Sequence, residues 1–116
     1  MSKVVTINKN VDFRRAYARG KTVASPVLVS YCLKNRTGVC RIGITTSKKI
    51  GGAIERNRCR RIIKEAYYHL EPFCEGGWDI VFVARFKTLR VKSTDIEKVM
   101  REQLEKCGVI PTDPML

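Results

Sequence analysis

The alternation of apolar and polar positions in the first half of the chain predicts one helix followed by three strands. In "DFRRAYARG" apolar residues recur at helical spacing between Asp12, a suitable N-cap, and Gly20, a suitable stop. Three β-prone segments follow: the very short "KTVAS", then "VLVSYCL" and "VCRIGITT". In the last segment apolar residues alternate with Arg41, Gly43 and Thr45, which predicts one buried face and one face turned to solvent or a ligand.

The second half of the chain predicts a long helix, a buried strand and a final helix. The long helix starts near residue 53 or 54 and runs to about Leu70, before the proline and glycines of "EPFCEGG". The segment "WDIVFVARF" barely alternates and therefore predicts a strand buried on both faces. Thr94 and Glu97 have the spacing of a capping box for the final helix, which Gly108 ends.

Length and composition fit a single domain of the α+β class. The chain has 116 residues, 44% of them hydrophobic, and the predicted element order is α-β-β-β-α-β-α. We expect one domain over residues 1–116, with a core from about 10 to 108 and a loose tail from about 109 to 116. No apolar run approaches the roughly 18 residues that span a bilayer, and the N-terminus lacks a signal-peptide pattern. We therefore expect a cytoplasmic protein.

Charge changes this picture more than any other bulk property. The chain carries 23 Lys and Arg against 11 Asp and Glu, a formal net charge of +12. Ten of these cations and a single Glu lie between residues 34 and 64. Such an excess repels itself and attracts a polyanion, for which nucleic acid is the first candidate and an anionic membrane surface the second.

The concentrated cations form one face of the long helix. At about 100° per residue, its apolar side chains fall into one buried stripe and its cations fall outside that stripe. This basic strip, with two flanking residues in the first turn, consists of Arg56, Asn57, Arg58, Arg60, Arg61 and Lys64. A solvated helix face normally mixes charges at i, i+4, and cations near a helix N-terminus oppose the helix dipole. Because a docked anion would relieve both effects, we predict a polyanion-binding site there.

Residues suited to catalysis are few. His69, the single histidine, lies near a helix end, where contact with solvent or the helix dipole explains it more simply than catalysis. The acidic residues share no motif, and no metal-ligand spacing is present. Five scattered cysteines are expected to be free thiols: Cys32, Cys40, Cys59, Cys74 and Cys107. We therefore expect no catalytic residues, and no metal or cofactor bound by the protein alone.

Several motifs, taken together, are specific to one family. A Ser-Lys-Lys-hydrophobic-Gly loop at residues 47–51 precedes an Arg-Asn-Arg element at residues 56–58. Tyr31 and the segments "DFRRAYARGKTVAS" and "GWDIVFVAR" add further matches. With these motifs the chain resembles the protein component of bacterial ribonuclease P. Two positions depart from the family pattern, since Gly52 stands where Asn is common and Tyr17 stands where Phe is frequent.

The resemblance covers roughly residues 10–108 and carries expectations about fold and function. It implies a four-stranded sheet packed by helices, similar to a ribosomal-protein fold, with a left-handed crossover through the basic helix. It also implies a subunit of an endoribonuclease ribonucleoprotein that removes the 5′ leader of precursor tRNA. In this family the RNA performs the hydrolysis, so Mg²⁺ is expected in the holoenzyme through RNA. The expected partners are the catalytic RNA and precursor tRNA, with no membrane and no obligate protein partner.

The resemblance implies two RNA-binding surfaces. The first, for the catalytic RNA, comprises Ser47, Lys49, Arg56, Asn57, Arg58, Arg60, Arg61 and Lys64. The second, for the substrate leader, comprises Phe13, Arg14, Tyr17, Tyr31 and Lys48. Aromatic side chains beside cations can stack on and clamp a single strand. From the residues alone, however, Phe13 and Tyr17 fit the core packing of an amphipathic helix at least as well.

Three other functions stay open at this point. The main alternative is a general structured-RNA-binding protein of ribosomal-protein type, which has the same charge and fold class but no leader-binding role. A free-standing metal-dependent nuclease predicts cleavage by the protein alone. A membrane-surface protein predicts binding to vesicles, although the apolar residues of this chain are needed for its core.

Overall fold

Three helices and five strands form the described part of the computed structural model, which comprises residues 4–112. The helices are α1 (Asn10–Arg19), α2 (Ala53–Leu70) and α3 (Ser93–Cys107). The strands are β1 (Val5–Thr6), β2 (Lys21–Ala24), β3 (Leu28–Lys34), β4 (Arg41–Thr45) and β5 (Trp78–Ala84). Short 3-10 helices at Glu71–Phe73 and Phe86–Arg90 follow α2 and β5. The predicted α+β class is confirmed.

The strands form one mixed sheet in the order β1-β4-β5-β3-β2. Strand β4 runs parallel to β1 and β5, whereas β3 runs antiparallel to β5 and β2. The prediction of four strands was wrong by one, because β1 adds an edge strand beside β4. Its two residues, Val5 and Thr6, pair with Arg41 and Ile42. A strand this short contains no alternation from which it could be predicted.

The connection between β4 and β5 passes through α2. Because β4 and β5 are parallel neighbours, the chain must cross from one end of the sheet to the other between them, and α2 is the crossover. This crossover places the basic helix against the sheet. The left-handed sense that the family resemblance implies for it stays a prediction.

The core consists of two apolar clusters on opposite faces of the sheet. The larger lies between the sheet and helices α2 and α3, and includes the fully buried Phe82, Tyr67 and Met100. A polar contact crosses this layer, since the buried Gln103 accepts a hydrogen bond from Ser30 at 2.6 Å and donates to the Leu28 carbonyl at 2.8 Å. The smaller cluster lies under α1 and contains Ile7, Ala16 and Val81.

The core extends beyond its predicted boundary at residue 108. Val109 and Ile110, which the sequence placed in a loose tail, are 0% and 3% exposed and belong to the larger cluster. Gly108 ends α3 in the left-handed conformation, with φ of 85°, and turns the chain back towards the helix. The Val109 carbonyl then accepts a hydrogen bond from Glu75 N at 2.9 Å. Residues 113–116 of the predicted tail lie outside the described residues.

Both predicted helix N-caps were wrong, whereas the predicted stops Gly20 and Gly108 are the C-caps of α1 and α3. Helix α1 begins before Asp12, and the carboxylate of this buried residue lies 3.8 Å from Arg41. Helix α3 begins at Ser93, and Asp95 accepts the hydrogen bond from Lys92 N at 3.2 Å. Glu97 instead lies 2.8 Å from Nδ1 of His69. Asp12 therefore connects α1 to β4, and Glu97 connects α3 to α2.

Within residues 4–112, no helix has an apolar stretch long enough to cross a membrane.

Candidate nucleic-acid interface

Helix α2 follows the predicted bounds and presents the predicted faces. Its 18 residues run from Ala53 to Leu70, and Glu55 accepts a hydrogen bond from Gly52 N at 3.4 Å at the N-terminus. The buried positions of the helix are Cys59, Ile63, Ala66, Tyr67 and Leu70. Because Glu55 folds back on the helix start, this acid is engaged at the N-terminus. The apolar stripe fixes the helix on the sheet and leaves its cations outside.

The basic strip on α2 lies at the surface. Arg56 is half-buried, and the other five members are exposed. Among residues 4–112, none of its cations forms an ion pair with an acidic side chain. The described side-chain hydrogen bond of the strip joins Arg60 Nη1 to Asn57 Oδ1 at 3.2 Å. The strip therefore combines concentrated positive charge with donors that are free to meet phosphate oxygens.

A groove separates the basic strip from the β1 edge of the sheet. It has a volume of about 760 Å³, and four members of the strip line it: Asn57, Arg60, Arg61 and Lys64. The opposite wall contains Thr6 and Ile7, and Ile54 of α2, 82% exposed, lines the groove as well. Sequence reasoning missed Thr6 and Ile7 because the strand that carries Thr6 was not predicted, and it did not assign Ile54 of the predicted helix to the site. The apolar Ile54 on a basic helix face was the available signal.

The aromatic face of the protein consists of Phe13, Tyr17 and Tyr31. Rings of Tyr17 and Tyr31 meet edge to face, with centroids 4.9 Å apart and planes at 84°. The Tyr17 hydroxyl shares a hydrogen bond of 2.7 Å with Thr45 Oγ1 on β4. Tyr17 is 39% exposed and Tyr31 is half-buried, so both can be reached by a ligand from the surface.

Phe13 has a mainly structural position in the aromatic face. Its half-buried ring packs on Gly43 so closely that a Cβ there would lie 2.5 Å from Phe13 Cε1. The same ring packs against the small cluster that contains Val81. Gly43 thus lets α1 approach β4. Phe13 therefore fits the core-packing interpretation, whereas the two tyrosines lie nearer the surface.

The loop between β4 and α2 leads to a second cavity. Ile50 is buried and donates its N–H to the Ser47 carbonyl at 3.1 Å, which forms the turn. Ser47 and Lys49 line a cavity of about 860 Å³, together with Val29 and Val83. These two valines are cross-strand partners and share the sheet face of Tyr31. Lys49 therefore borders the sheet face that carries Tyr31.

This placement divides the residues predicted for the catalytic RNA. Four strip residues line the groove beside β1, whereas Ser47 and Lys49 line the separate cavity at the aromatic side. Arg14 and Lys48, predicted for the leader, are exposed. The structure brings Tyr17 and Tyr31 into contact, as the prediction of one leader surface requires. The RNA-binding roles of all these residues stay predictions.

An ion pair stabilises the sheet at the other end of the aromatic side. Arg41 donates to Asp79 from Nε at 2.8 Å and from Nη2 at 2.7 Å, and Asn35 donates to the same carboxylate at 2.8 Å. Burial by itself raises the pKa of Asp79, but the hydrogen bonds from Arg41 and Asn35 outweigh it and hold this pKa below its ordinary value. The Arg41 guanidinium is thus paired with a carboxylate of the protein, whereas the described cations of the basic strip have no such partner.

Comparison with known proteins identifies the family to which this arrangement belongs. The family model described as Ribonuclease P matches residues 1–108 of the chain. The chain belongs to the ribonuclease P protein family. Membership makes it a protein subunit of an endoribonuclease ribonucleoprotein that processes tRNA, with ribonuclease P RNA as its partner.

Two curated relatives support this membership across most of the chain. The ribonuclease P protein component of Clostridioides difficile (strain 630) is 41% identical over 104 residues, which cover 89% of this chain and 91% of the relative. The component from Clostridium botulinum (strain Loch Maree / Type A3) is 40% identical over 104 residues, with 89% and 94% covered.

Solved structures of ribonuclease P proteins share the fold. The Staphylococcus aureus RNase P protein superposes with a TM-score of 0.82 at 31% identity, covering 93% of this chain and 99% of that one. The Thermotoga maritima RNase P protein gives a TM-score of 0.74 at 27% identity, with 84% and 94% covered. The motifs of the loop and of α2 thus pointed to the right family.

Proposed function

We propose that the chain binds the catalytic RNA through the basic strip and the 5′ leader of precursor tRNA through the aromatic face. The ribonucleoprotein then removes the leader, and the RNA performs the hydrolysis. The observation that carries the first part is the basic strip without acidic partners among the described residues. Family membership supports a catalytic-RNA partner for that strip.

The basic strip fits phosphate recognition on physical grounds. Arginine presents a planar fork of donors that matches phosphate oxygens, and each neutralised phosphate releases bound counterions. Charge repulsion along the free helix is relieved when RNA phosphates dock. Asn57, held by Arg60 at 3.2 Å, adds a polar group that can read a base or sugar edge.

A salt titration tests the strip. Arg56→Ala combined with Arg58→Ala should weaken binding to the catalytic RNA and reduce the slope of log affinity against log salt by about one unit per lost phosphate contact. Lys98→Ala combined with Lys106→Ala removes the same charge from exposed positions of α3 and serves as the control. If both double variants change the slope equally, general charge and not the strip determines binding.

The aromatic face is suited to the leader because it combines stacking surfaces with nearby cations. Tyr17 and Tyr31 expose ring surface on one side, and the cavity beside them has Lys49 in its wall. Stacking of a base on an aromatic ring contributes about 1–3 kcal/mol. Contacts to a leader are available to precursor tRNA and lost in mature tRNA, so they favour release of the product.

Affinities for precursor and mature tRNA test the leader role in the reconstituted ribonucleoprotein. Tyr17→Ala with Tyr31→Ala should lower the preference for precursor tRNA by at least about fivefold, the loss of one stacked base. Phe73→Ala, which removes a 52% exposed aromatic from the turn after α2, should leave that preference unchanged. Unchanged discrimination in the tyrosine variant would favour a general structured-RNA-binding protein.

The proposal also includes the metal ion and the compartment. Mg²⁺ enters the holoenzyme through RNA phosphates, because phosphate and water oxygens are its preferred ligands. The protein lowers the Mg²⁺ requirement by neutralising phosphates, and the complex is cytoplasmic. Reconstitution at low Mg²⁺ should restore precursor-tRNA cleavage only when protein and RNA are both present, whereas cleavage by the protein alone would indicate a free-standing nuclease.

A further inference from the structure

The fold brings four of the five scattered cysteines into two pairs. Cys40, directly before β4, lies beside Cys74, which directly follows the 3-10 helix after α2. Cys32 of β3 and Cys107 of α3 form the other pair. The second pair is buried, at 2% and 8% exposed, whereas Cys40 and Cys74 are both half-buried. All are free thiols, so the two pairs differ chiefly in access to solvent.

The accessible pair lies in a cavity of its own. This cavity measures about 350 Å³, and its wall includes both sulfur-bearing residues together with Glu71 and Gly76. Cys40 Sγ donates to the Gly76 carbonyl at 3.5 Å, and Cys74 Sγ donates to the Leu70 carbonyl at 3.5 Å. A small solute in this cavity therefore lies beside both cysteines without unfolding of the core. The cavity shares no wall residue with the groove beside the basic strip.

A buried hydroxyl group beside the pair lacks a hydrogen-bond partner. Tyr67 is fully buried, and its Oη forms no hydrogen bond of good geometry among the described residues. Burial raises the pKa of Tyr67, and the neighbouring Cys74 and Cys40 raise it further. Buried hydroxyls normally have a partner. A thiolate or an oxidised sulfur on Cys40 would give the Tyr67 hydroxyl the acceptor it lacks.

The same neighbours favour the thiolate form of Cys40. When Cys40 ionises, the Cys74 thiol can donate to it in place of the Leu70 carbonyl. This hydrogen bond is the main cause that lowers the pKa of Cys40 to about 7, although burial opposes it. The backbone N–H of Trp78 and the Tyr67 hydroxyl lower this pKa further, and the charge of Glu71 raises it. A thiol is nucleophilic in its thiolate form, and reactive cysteines combine that form with access.

We propose that Cys40 and Cys74 form a reversible oxidation site for hydroperoxides, with Cys40 as the reacting thiol and Cys74 as the resolving thiol. The Cys40 thiolate attacks one peroxide oxygen and the O–O bond breaks, which yields a sulfenic acid and, with a proton, water or an alcohol. The Cys74 sulfur then attacks the Cys40 sulfur to form the disulfide, and the sulfenic oxygen leaves as water, taking up the proton that Cys74 loses. The two sulfurs supply the two electrons that reduce the peroxide, and a thiol reductant reverses the disulfide.

The proposed disulfide would connect two parts of the chain that flank the RNA-binding elements. Residues 40–74 include β4 and the whole of α2, so the bond closes a loop around the basic strip. Closing such a loop restricts the unfolded chain and stabilises the fold if the native geometry accepts the bond. The inference is independent of the RNA-binding proposal, because it concerns the chemistry of the protein alone.

Mass spectrometry of the folded, full-length protein tests the site. Treatment with hydrogen peroxide at pH 7 should produce a Cys40–Cys74 linked peptide that a thiol reductant removes. The buried Cys32–Cys107 pair serves as the internal control and should stay reduced at the same dose. Absence of the Cys40–Cys74 link, or equal oxidation of both pairs, would overturn the proposal, since equal oxidation indicates reaction through unfolding.

Two variants separate the roles of the thiols. Cys74→Ala should leave Cys40 as a sulfenic acid that a dimedone probe labels, whereas Cys40→Ser should show no such label on Cys74. Because Cys74 also stabilises the thiolate, Cys74→Ala should slow alkylation of Cys40 at pH 7 by roughly threefold or more. Circular dichroism checks that each variant is folded. Labelling of Cys74 in the Cys40→Ser variant at the rate of Cys40 would refute the assigned order.

Discussion

At the residue scale, the charge state of Asp79 depends on two donors that are distant in sequence. Arg41 and Asn35 hold its carboxylate at 2.7 to 2.8 Å, although the side chain lies almost wholly within the protein. A buried carboxylate without donors would favour its neutral form. The hydrogen bonds reverse that tendency, so Asp79 stays charged and links β5 to β4 and to the turn after β3.

Replacing Asp79 should destabilise the protein in a pH-dependent way. Because the folded state lowers the pKa of Asp79, its stabilising contribution is present above the ordinary pKa of an aspartate and is lost as the pH falls through the lower folded value. Asp79→Asn should therefore reduce the free energy of unfolding by about 1.5–3 kcal/mol at pH 7. The difference in the free energy of unfolding between Asp79→Asn and the parent protein should become smaller below about pH 4.

Urea unfolding at neutral and acidic pH measures this contribution. Glu102→Gln removes an exposed carboxylate from α3 and should change the free energy of unfolding by less than about 0.5 kcal/mol at either pH. A deficit of Asp79→Asn that is constant from pH 7 to pH 3 would show that shape, and not charge, determines the effect.

Sequence reasoning at the residue scale predicted residue types better than their partners. Asp12 and Glu97 were both assigned to helix caps, which short acidic and polar residues favour. In the fold Asp12 lies near Arg41, and Glu97 contacts His69 of α2. These partners lie 29 and 28 positions away in the sequence, so local spacing could not identify them, although Asp12 also pairs with Arg15 three positions on, at 3.5 Å. Asp95 performs the capping that the sequence assigned to Glu97, two residues further on.

At the element scale, a helix or strand was predicted correctly where its hydrophobic pattern was long enough to be distinct. Helix α2 has five turns of amphipathic pattern, and its predicted bounds and faces are confirmed. Strand β5 is buried along most of its length, as its continuous apolar run predicted. Strand β1, with two residues, carried no signal and was missed. One consequence is that the groove beside the basic strip could not be predicted, because β1 and the following residue form one of its walls.

The basic strip should make α2 less stable in the free protein than it would otherwise be. Arg56 and Arg58 lie near the positive end of the helix dipole and near other cations of the strip. Arg56→Gln with Arg58→Gln keeps polar stems of similar size and removes both charges. We expect the free energy of unfolding to rise by about 0.5–1 kcal/mol while affinity for the catalytic RNA falls.

Urea unfolding at low salt provides the measurement for this trade-off. Lys98→Gln, in the exposed middle of α3, should change stability little because it is distant from either end of its helix. A double arginine variant that unfolds more easily than the parent would mean that the arginine stems contribute more through packing than their charges cost.

At the scale of the whole molecule, the order of strands in the sheet creates contacts that the sequence alone could not predict. The Cys40–Cys74 and Cys32–Cys107 pairs, and the separation of Lys49 from the basic strip, depend on how β3, β4 and β5 adjoin in the sheet. Hydrophobic periods specify elements but not their order or crossover hand. Family motifs supplied the four-stranded expectation, which described every strand except the short edge strand.

Net charge is the other property of the whole molecule, and it predicts a response to anions. At +12 the protein repels itself, and the repulsion is concentrated at the basic strip. Sulfate can occupy phosphate positions, so millimolar sulfate should raise the thermal midpoint. At ten times its dissociation constant, a single bound anion stabilises by about 1.4 kcal/mol, or roughly 3–7 °C for a domain of this size.

The response to sulfate must be separated from screening and from its general stabilising effect on proteins. Sodium chloride at matched ionic strength supplies the same screening, and a smaller rise with chloride indicates bound sulfate. Sulfate also favours burial of apolar surface in any protein, whatever its charge pattern. Arg56→Gln with Arg58→Gln distinguishes the two, since it should lose part of the sulfate increment, whereas Lys98→Gln should retain all of it. Far-UV circular dichroism monitors the thermal unfolding. If sulfate raises the thermal midpoint equally in the parent and in both variants, the effect comes from bulk solvent and the strip has no anion site.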